Sequence, residues 1–294
     1  MRFTAASPCA SLDRQATGRN WVADAPFPSR RTQAPAAPRN TARRAQAGRP
    51  VGRGAGRGEA PDCLVAKFAR HKALTQREID FLKTLEAEET SLPAGHELIS
   101  QGEPSENLYV LKSGWAYGHK LLANGRRQVL EILLPGDLLG TREFVFHGAL
   151  NSVTTATAAI VCPFPRARLN EFYEGHPQLT ALLVDMLLRE QALLVERVAD
   201  IGSRPALQRL AHLFVELHVR LCQAGPDAGG SFDFPLSQTI LAEALGLSRV
   251  HVARTLKELR DAGLLDLSRR RATILDAKAL IRAAEFDEFY LAKL

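Results

Sequence analysis

The chain has 294 residues, 46% of them hydrophobic, which is enough to bury the cores of about two domains. Its formal charge of +6 comes from the N-terminus: residues 1–60 carry eleven arginines against three acids, and the rest has 27 basic and 29 acidic residues. No apolar run reaches the roughly 18–20 residues of a membrane span, and nothing reads as a secretory signal. The four cysteines, at 9, 63, 162 and 222, have no CxxC spacing, which predicts a reducing, cytoplasmic setting without a disulfide or zinc framework.

Residues 1–62 form a tail rich in Arg, Ala, Pro and Gly. Stretches such as "GRPVGRGAGRG" cannot pack a core, and the composition predicts disorder rather than a basic arm on nucleic acid. A sensor-like domain is expected over 63–176. It begins with a short helix, Leu74 to Glu88, and continues as apolar runs punctuated by Gly95, Gly102, Gly114, Gly118, Gly125, Gly136 and Gly140. Short strands with turn signals at this spacing predict an antiparallel jelly roll.

A helix of about 24 residues starts near Pro177, within a segment assigned to 177–203. Leu183, Leu187, Leu194, Val198 and Ile201 fall nearly in heptad register along it. A helix this apolar must cover one face on the barrel and another elsewhere, and a second copy of the chain is the economical partner.

Residues 204–294 carry the strongest local signal. Ser237 caps a first helix, Gly246 supplies the left-handed residue that ends it, and Ser248 caps a second. In the second helix Val252, Leu256 and Leu259 repeat at i, i+4, i+7 and must face inward. Arg249, Val250, Ala253, Arg254 and Lys257 are left outside. The apolar runs at 264–267 and 272–275 read as a hairpin with Arg269, Arg270 and Arg271 at its tip. An amphipathic hairpin with a solvated face would explain the helices alone. The basic hairpin behind them predicts a winged helix-turn-helix, whose second helix enters the major groove. Between Arg249 and Arg271 basic residues outnumber acidic ones seven to three.

The motifs "AGHELISQGEPSENLYVLKSGWA", "GRRQVLEILLPGDLLG" and "LAEALGLSRVHVARTLKELRDAGLL", in that order, resemble the Crp/Fnr superfamily of bacterial transcription regulators. The likeness covers roughly residues 70 to 290 and implies an α+β fold. Its parts are a cyclic-nucleotide-binding-like jelly roll, a dimerisation helix and a C-terminal winged helix-turn-helix domain. By the same resemblance the protein is a homodimer on a palindromic site of double-stranded DNA, with RNA polymerase as a further partner. The competing class is a regulatory module that binds a nucleotide or other small ligand and gates a partner protein, which would not need the basic helix and wing.

Two departures from the family pattern stand out. The recognition helix matches at Ser248, Arg249 and Arg254, but Val250 occupies the place of an acidic residue that accepts from cytosine, so the half-site should differ there. His251 reads as a partly exposed surface histidine that could reach a phosphate. In the barrel, the positions that hold a cyclic nucleotide in relatives are Gly140, Thr141, Asn151 and Ser152 here, and no Arg or Lys occurs between Arg142 and Arg166. At the turn of the long helix where those relatives offer hydroxyls, this chain has Leu194 and Val195, so the pocket is expected to be apolar. No cofactor, metal, haem or iron–sulfur cluster is expected, since the histidines are scattered and the cysteines do not cluster. Enzyme motifs are absent as well. The effector stays open at this stage.

Overall fold

The computed structural model describes residues 63–142, 146–224 and 230–291. The tail and the expectations attached to it lie outside the described residues. Two helices come first, α1 (Cys63–Ala69) and α2 (Gln76–Leu85). The sequence reading placed α2 over Leu74 to Glu88; Thr75 instead sets the start. Its side chain accepts from the Glu78 N–H while Glu78 returns a bond to the Thr75 N–H, a capping box that leaves Leu74 outside.

Eight strands follow: β1 (Thr90–Leu92), β2 (Glu97–Ile99), β3 (Asn107–Ser113), β4 (Ala116–Leu121), β5 (Arg127–Leu133), β6 (Leu138–Leu139), β7 (Ser152–Thr155) and β8 (Ala159–Pro165). They pair antiparallel in two sheets, ordered β1-β8-β3-β6 and β2-β7-β4-β5. Residues such as Ile99, Leu111, Leu133, Val153 and Val161 form the apolar cluster of the roll. The alternation of side chains along a strand explains the rest. Leu108 and Val110 on β3, with Cys162 and Phe164 on β8, join a separate cluster with Leu64, Phe68, Phe81 and Phe172 from the helices. Each fully buried Leu or Phe here contributes about 1.5–3 kcal/mol.

A short helix α3 (Leu169–Gly175) leads into α4 (Pro177–Ser203), which has Pro at its first turn. Its end is also legible: Arg204 precedes Pro205 and sits in extended backbone, where a residue before proline belongs. Then come α5 (Ala206–Ala224), β9 (Ser231–Asp233), α6 (Gln238–Leu245), α7 (Arg249–Asp261), β10 (Leu265–Ser268), β11 (Arg271–Ile274) and α8 (Ala277–Ala284).

The cluster of the C-terminal half does not stop at that half. Leu210, Phe214, Phe234, Leu241 and Val252 pack in one group with Trp115, Tyr117, Val129 and Ile132 from β4, β5 and the turn before them. Polar contacts reinforce the joint. Arg127 Nε donates to Glu243 Oε2 at 2.7 Å, Gln128 Nε2 donates to the Glu243 carbonyl at 2.6 Å, and Arg220 Nη2 donates to the Ile132 carbonyl at 3.0 Å. Arg220 also pairs with Asp137 at 3.0 Å, and Asp137 with Lys67 at 2.5 Å. Burial alone would raise the Asp137 pKa, but Lys67, Arg220 and the Leu134 N–H together hold it below its ordinary value.

Candidate functional site

The helix-turn-helix is built from caps outward. Ser237 Oγ accepts from the Ile240 N–H, Gly246 ends α6 at φ 63°, and Ser248 Oγ accepts from the His251 N–H at 3.2 Å. Gly246 also lets Ile201 of α4 approach: a Cβ there would lie 3.3 Å from Ile201 Cγ2. On α7 the side chains of Val252, Thr255, Leu256 and Leu259 are buried. Arg249, Val250, Ala253, Arg254 and Lys257 are exposed, as the spacing required, and Val250 is 79% exposed. His251 is half-buried on the edge of that face. An exposed valine among arginines gains nothing from the core.

The wing differs from the two-stranded hairpin expected. It is a three-stranded sheet ordered β10-β11-β9. The added strand carries only Phe232 as a buried apolar residue, too short a pattern to be seen in sequence. This changes the role of one predicted contact. Arg271 lies in β11, where its Nε donates to Ser231 Oγ at 2.8 Å and Nη1 is 3.4 Å from Asp233 Oδ1, so its charge is drawn toward β9. Arg269 and Arg270 make the turn between the strands, exposed and both at positive φ, 49° and 60°. A two-residue turn of this hand favours Asn-Gly, and each side chain held there costs about 1–2 kcal/mol. Arginine persists at the tip against that cost. We expect Arg270→Gly to stabilise the fold by up to about 1 kcal/mol while weakening DNA binding for all sequences alike. The salt-dependence slope should fall by about 1. Thermal melts and salt-titrated gel shifts read the two effects separately, and a variant with unchanged affinity would remove the tip from the interface.

In the barrel, Gly140, Thr141 and Asn151 line a space of about 10 Å³, but Ser152 does not. Asn151 and Ser152 are buried, and Ser152 Oγ accepts from the Gln101 N–H at 3.0 Å. The expectation of an apolar pocket needs correction. Arg142 reaches in from the loop and grips Glu131 of β5 with both arms, at 2.7 and 2.6 Å. Gly118 makes room for this pair, since a Cβ there would overlap the Glu131 carboxylate. Eleven residues separate Arg142 from Glu131, and no sequence period announces their meeting. Thr141 donates to Glu190 of α4 at 3.3 Å.

Glu190 titrates unusually. Burial pushes it up to about 7; Lys67 and Arg142 pull it down, while Glu131 and Asp137 add to the rise. The folded chain thus keeps a proton that the unfolded chain releases near 4.5. The resulting stabilisation is complete below that value and is lost as pH rises through 7. Glu190 keeps some solvent contact, so screening leaves an effect of about 1 kcal/mol. Glu190→Gln should therefore raise Tm by about 2–4 °C at pH 8 and leave it unchanged near pH 4. Equal shifts at both values would refute the assignment.

Along α4 the predicted stripe divides. Leu183 is only 4% exposed and belongs to the cluster of Leu179, Leu182 and Met186 with α2 and α3. It is spent inside the protomer and is withdrawn from the intersubunit set. Leu194 and Ile201 are half-buried. Leu187 and Val198 are exposed, and they share their face with Val184, Leu188 and Val195.

A helix-turn-helix with a basic three-stranded wing, joined by a long helix to an eight-stranded roll, defines a DNA-binding transcription regulator. Residues 208–283 match the Crp-like helix-turn-helix domain, and residues 89–176 the cyclic nucleotide-binding domain. A probable transcriptional activator of Rhizobium leguminosarum bv. viciae is 32% identical over 186 residues, covering 63% of this chain and 75% of that protein. The nitrogen fixation regulation protein FixK of Bradyrhizobium diazoefficiens is 27% identical over 216 residues, 73% of this chain and 89% of the relative. The structure of FixK2 from Bradyrhizobium japonicum is similar in fold, with a TM-score of 0.61 at 24% identity over 67% of this chain and 96% of that one. The chain belongs to the Crp/Fnr family of transcription regulators.

Proposed function

We propose that the protein works in the cytoplasm as a homodimer joined along α4, and that each α7 enters a major groove of a palindromic site. Arg249, Val250 and Arg254 would read bases, while Ser248, His251, Lys257, Arg269 and Arg270 would position the backbone, with Arg271 supporting the wing. RNA polymerase is the further partner such a regulator would address. Residues 63–176, 177–203 and 204–294 would serve as sensor, dimerisation helix and DNA-binding domain, with 1–62 as an extension. The observation that carries this reading is the exposed face of α7, where a valine that the core does not use stands between arginines. Selection of bound DNA from a random pool tests it. We expect an inverted repeat with half-sites about one helical turn, ~34 Å, apart. A lone half-site, or no enrichment, would overturn it.

The same reading holds that DNA binding does not depend on cyclic AMP or cyclic GMP. The space at Gly140 and Thr141 is small, and its guanidinium is already engaged by Glu131. An entering phosphate would meet a carboxylate and lose the charge-assisted contacts that offset its desolvation. Calorimetry with either nucleotide should show no binding at millimolar concentration, and the protein alone should shift the selected site. A micromolar dissociation constant would show that Arg142 can leave Glu131 for a phosphate.

A further inference from the structure

A second cavity, of about 120 Å³, lies where α1, β5, α4 and α5 meet. It shares Glu131, Leu133 and Arg142 with the small space in the roll, but its lining takes in Glu216 and Arg220 of α5 and not Gly140, Asn151 or Val153. Its chemistry is two-sided. Ile132, Leu134, Met186, Leu193 and Leu291 provide an apolar wall. The charged lining holds six Lys or Arg side chains against four carboxylates, so the cavity carries an excess of positive charge. That excess grows when Glu190, whose pKa burial lifts to about 7, is protonated.

One of those cations is incompletely satisfied. Arg197 is 6% exposed, and its Nη2 donates to Glu216 Oε2 at 3.2 Å. Its Nη1 makes no hydrogen bond; the nearest carboxylate oxygen, Asp200 Oδ2, is 3.6 Å away. Asp200 takes Arg204 Nη1 on Oδ1 at 2.8 Å, while Oδ2, the oxygen facing Arg197, lies 3.4 Å from His212 Nδ1 and makes no hydrogen bond. A buried guanidinium N–H without a hydrogen bond is costly and uncommon, and Arg197 belongs to the lining of the cavity. A wholly apolar cavity of about 150 Å³ holds benzene. This smaller one, with a cationic end, suits an anion with a short apolar body of about six to eight heavy atoms.

We propose that this cavity is a binding site for a small amphipathic carboxylate, its head on Arg197 and its body against Leu193 and Ile132. The site touches the roll through α1 and β5, and the DNA-binding half through α5. It stands apart from the assignment of the DNA contacts, because its test contains no DNA.

The probe is hexanoate, compared with 1-hexanol and hexylamine, titrated calorimetrically into the full-length protein. We expect saturable hexanoate binding with a dissociation constant on the order of 0.1–1 mM. Hexanol should bind at least about tenfold more weakly and hexylamine not at all, since neither offers an anionic oxygen to accept from Arg197. Leu193→Phe, which fills the cavity from the half-buried face of α4, should abolish binding while leaving the melting temperature at or above that of the parent. Arg197→Lys retains a buried cation but loses the fork, and should weaken hexanoate at least about tenfold. No heat from hexanoate up to about 20 mM, equal binding of hexanol, or undiminished binding by a folded Leu193→Phe would each overturn the proposal.

Discussion

Val198→Asp is expected to give a folded monomer that no longer holds a palindromic site. Val198 is 71% exposed in the single chain, so an aspartate there meets water and should change protomer stability by no more than about 0.5 kcal/mol. In a dimer joined along α4 the same position becomes interior, together with Leu187, Leu188 and Val195. Two carboxylates would then be buried without partners across a helix seam. Breaking charge balance in such a seam costs about 3–5 kcal/mol, enough to weaken the dimer by two to three orders of magnitude or more. Affinity for an inverted repeat should fall about 100-fold or more, because each monomer reads only half of it. Sedimentation equilibrium decides the matter. A variant that remains dimeric would move the interface away from this face. Leu194 is a less clean position, since it is half-buried and lines the cavity beside α5.

The second large effect is Arg254→Ala. Arg254 is exposed on α7, one turn on from Val250. A guanidinium paired with a base edge is worth about 1–3 kcal/mol of discrimination. Affinity for the selected site should therefore drop about 5- to 150-fold, and the preference at one base pair of each half-site should relax. The contrast with Arg270→Gly is diagnostic, for that change weakens every sequence alike. If selection with Arg254→Ala returns the parent consensus, α7 does not lie in the groove as assigned.

The two helices of the helix-turn-helix were legible in the sequence because local rules determine them. Ser237, Gly246 and Ser248 act within one turn of the backbone they cap, and the inward triad of α7 repeats at helical spacing. The roll was legible through its glycines, several of which take the positive φ that turns between strands require. Three features were not. Strand β9 is too short to show a period and exists because β11 offers it an edge. The Arg142–Glu131 pair joins a loop to a strand through the curvature of the roll, so neither residue signals the other. Leu183 looked identical to its heptad neighbours, and only the packing of α2 and α3 on the first turns of α4 separates them. Helix α5 is a different kind of omission: Leu210, Leu213, Phe214 and Leu217 repeat at helical spacing and are buried, so the signal was present.

The apolar cluster that runs from β4 and β5 into α5 and α6 bears on how far the molecule can be treated as interchangeable parts. Trp115 stands edge-on to Phe234, their ring centres 6.1 Å apart, and Arg127 spans the same boundary to Glu243. Transplanting the DNA-binding half onto an unrelated roll would leave Phe234 against a foreign surface and Glu243 without its guanidinium. A working chimera would have to carry the outer face of β4 and β5 along with it. The seam along which this chain can be cut and recombined therefore does not coincide with the end of α4, where the backbone makes its most visible break.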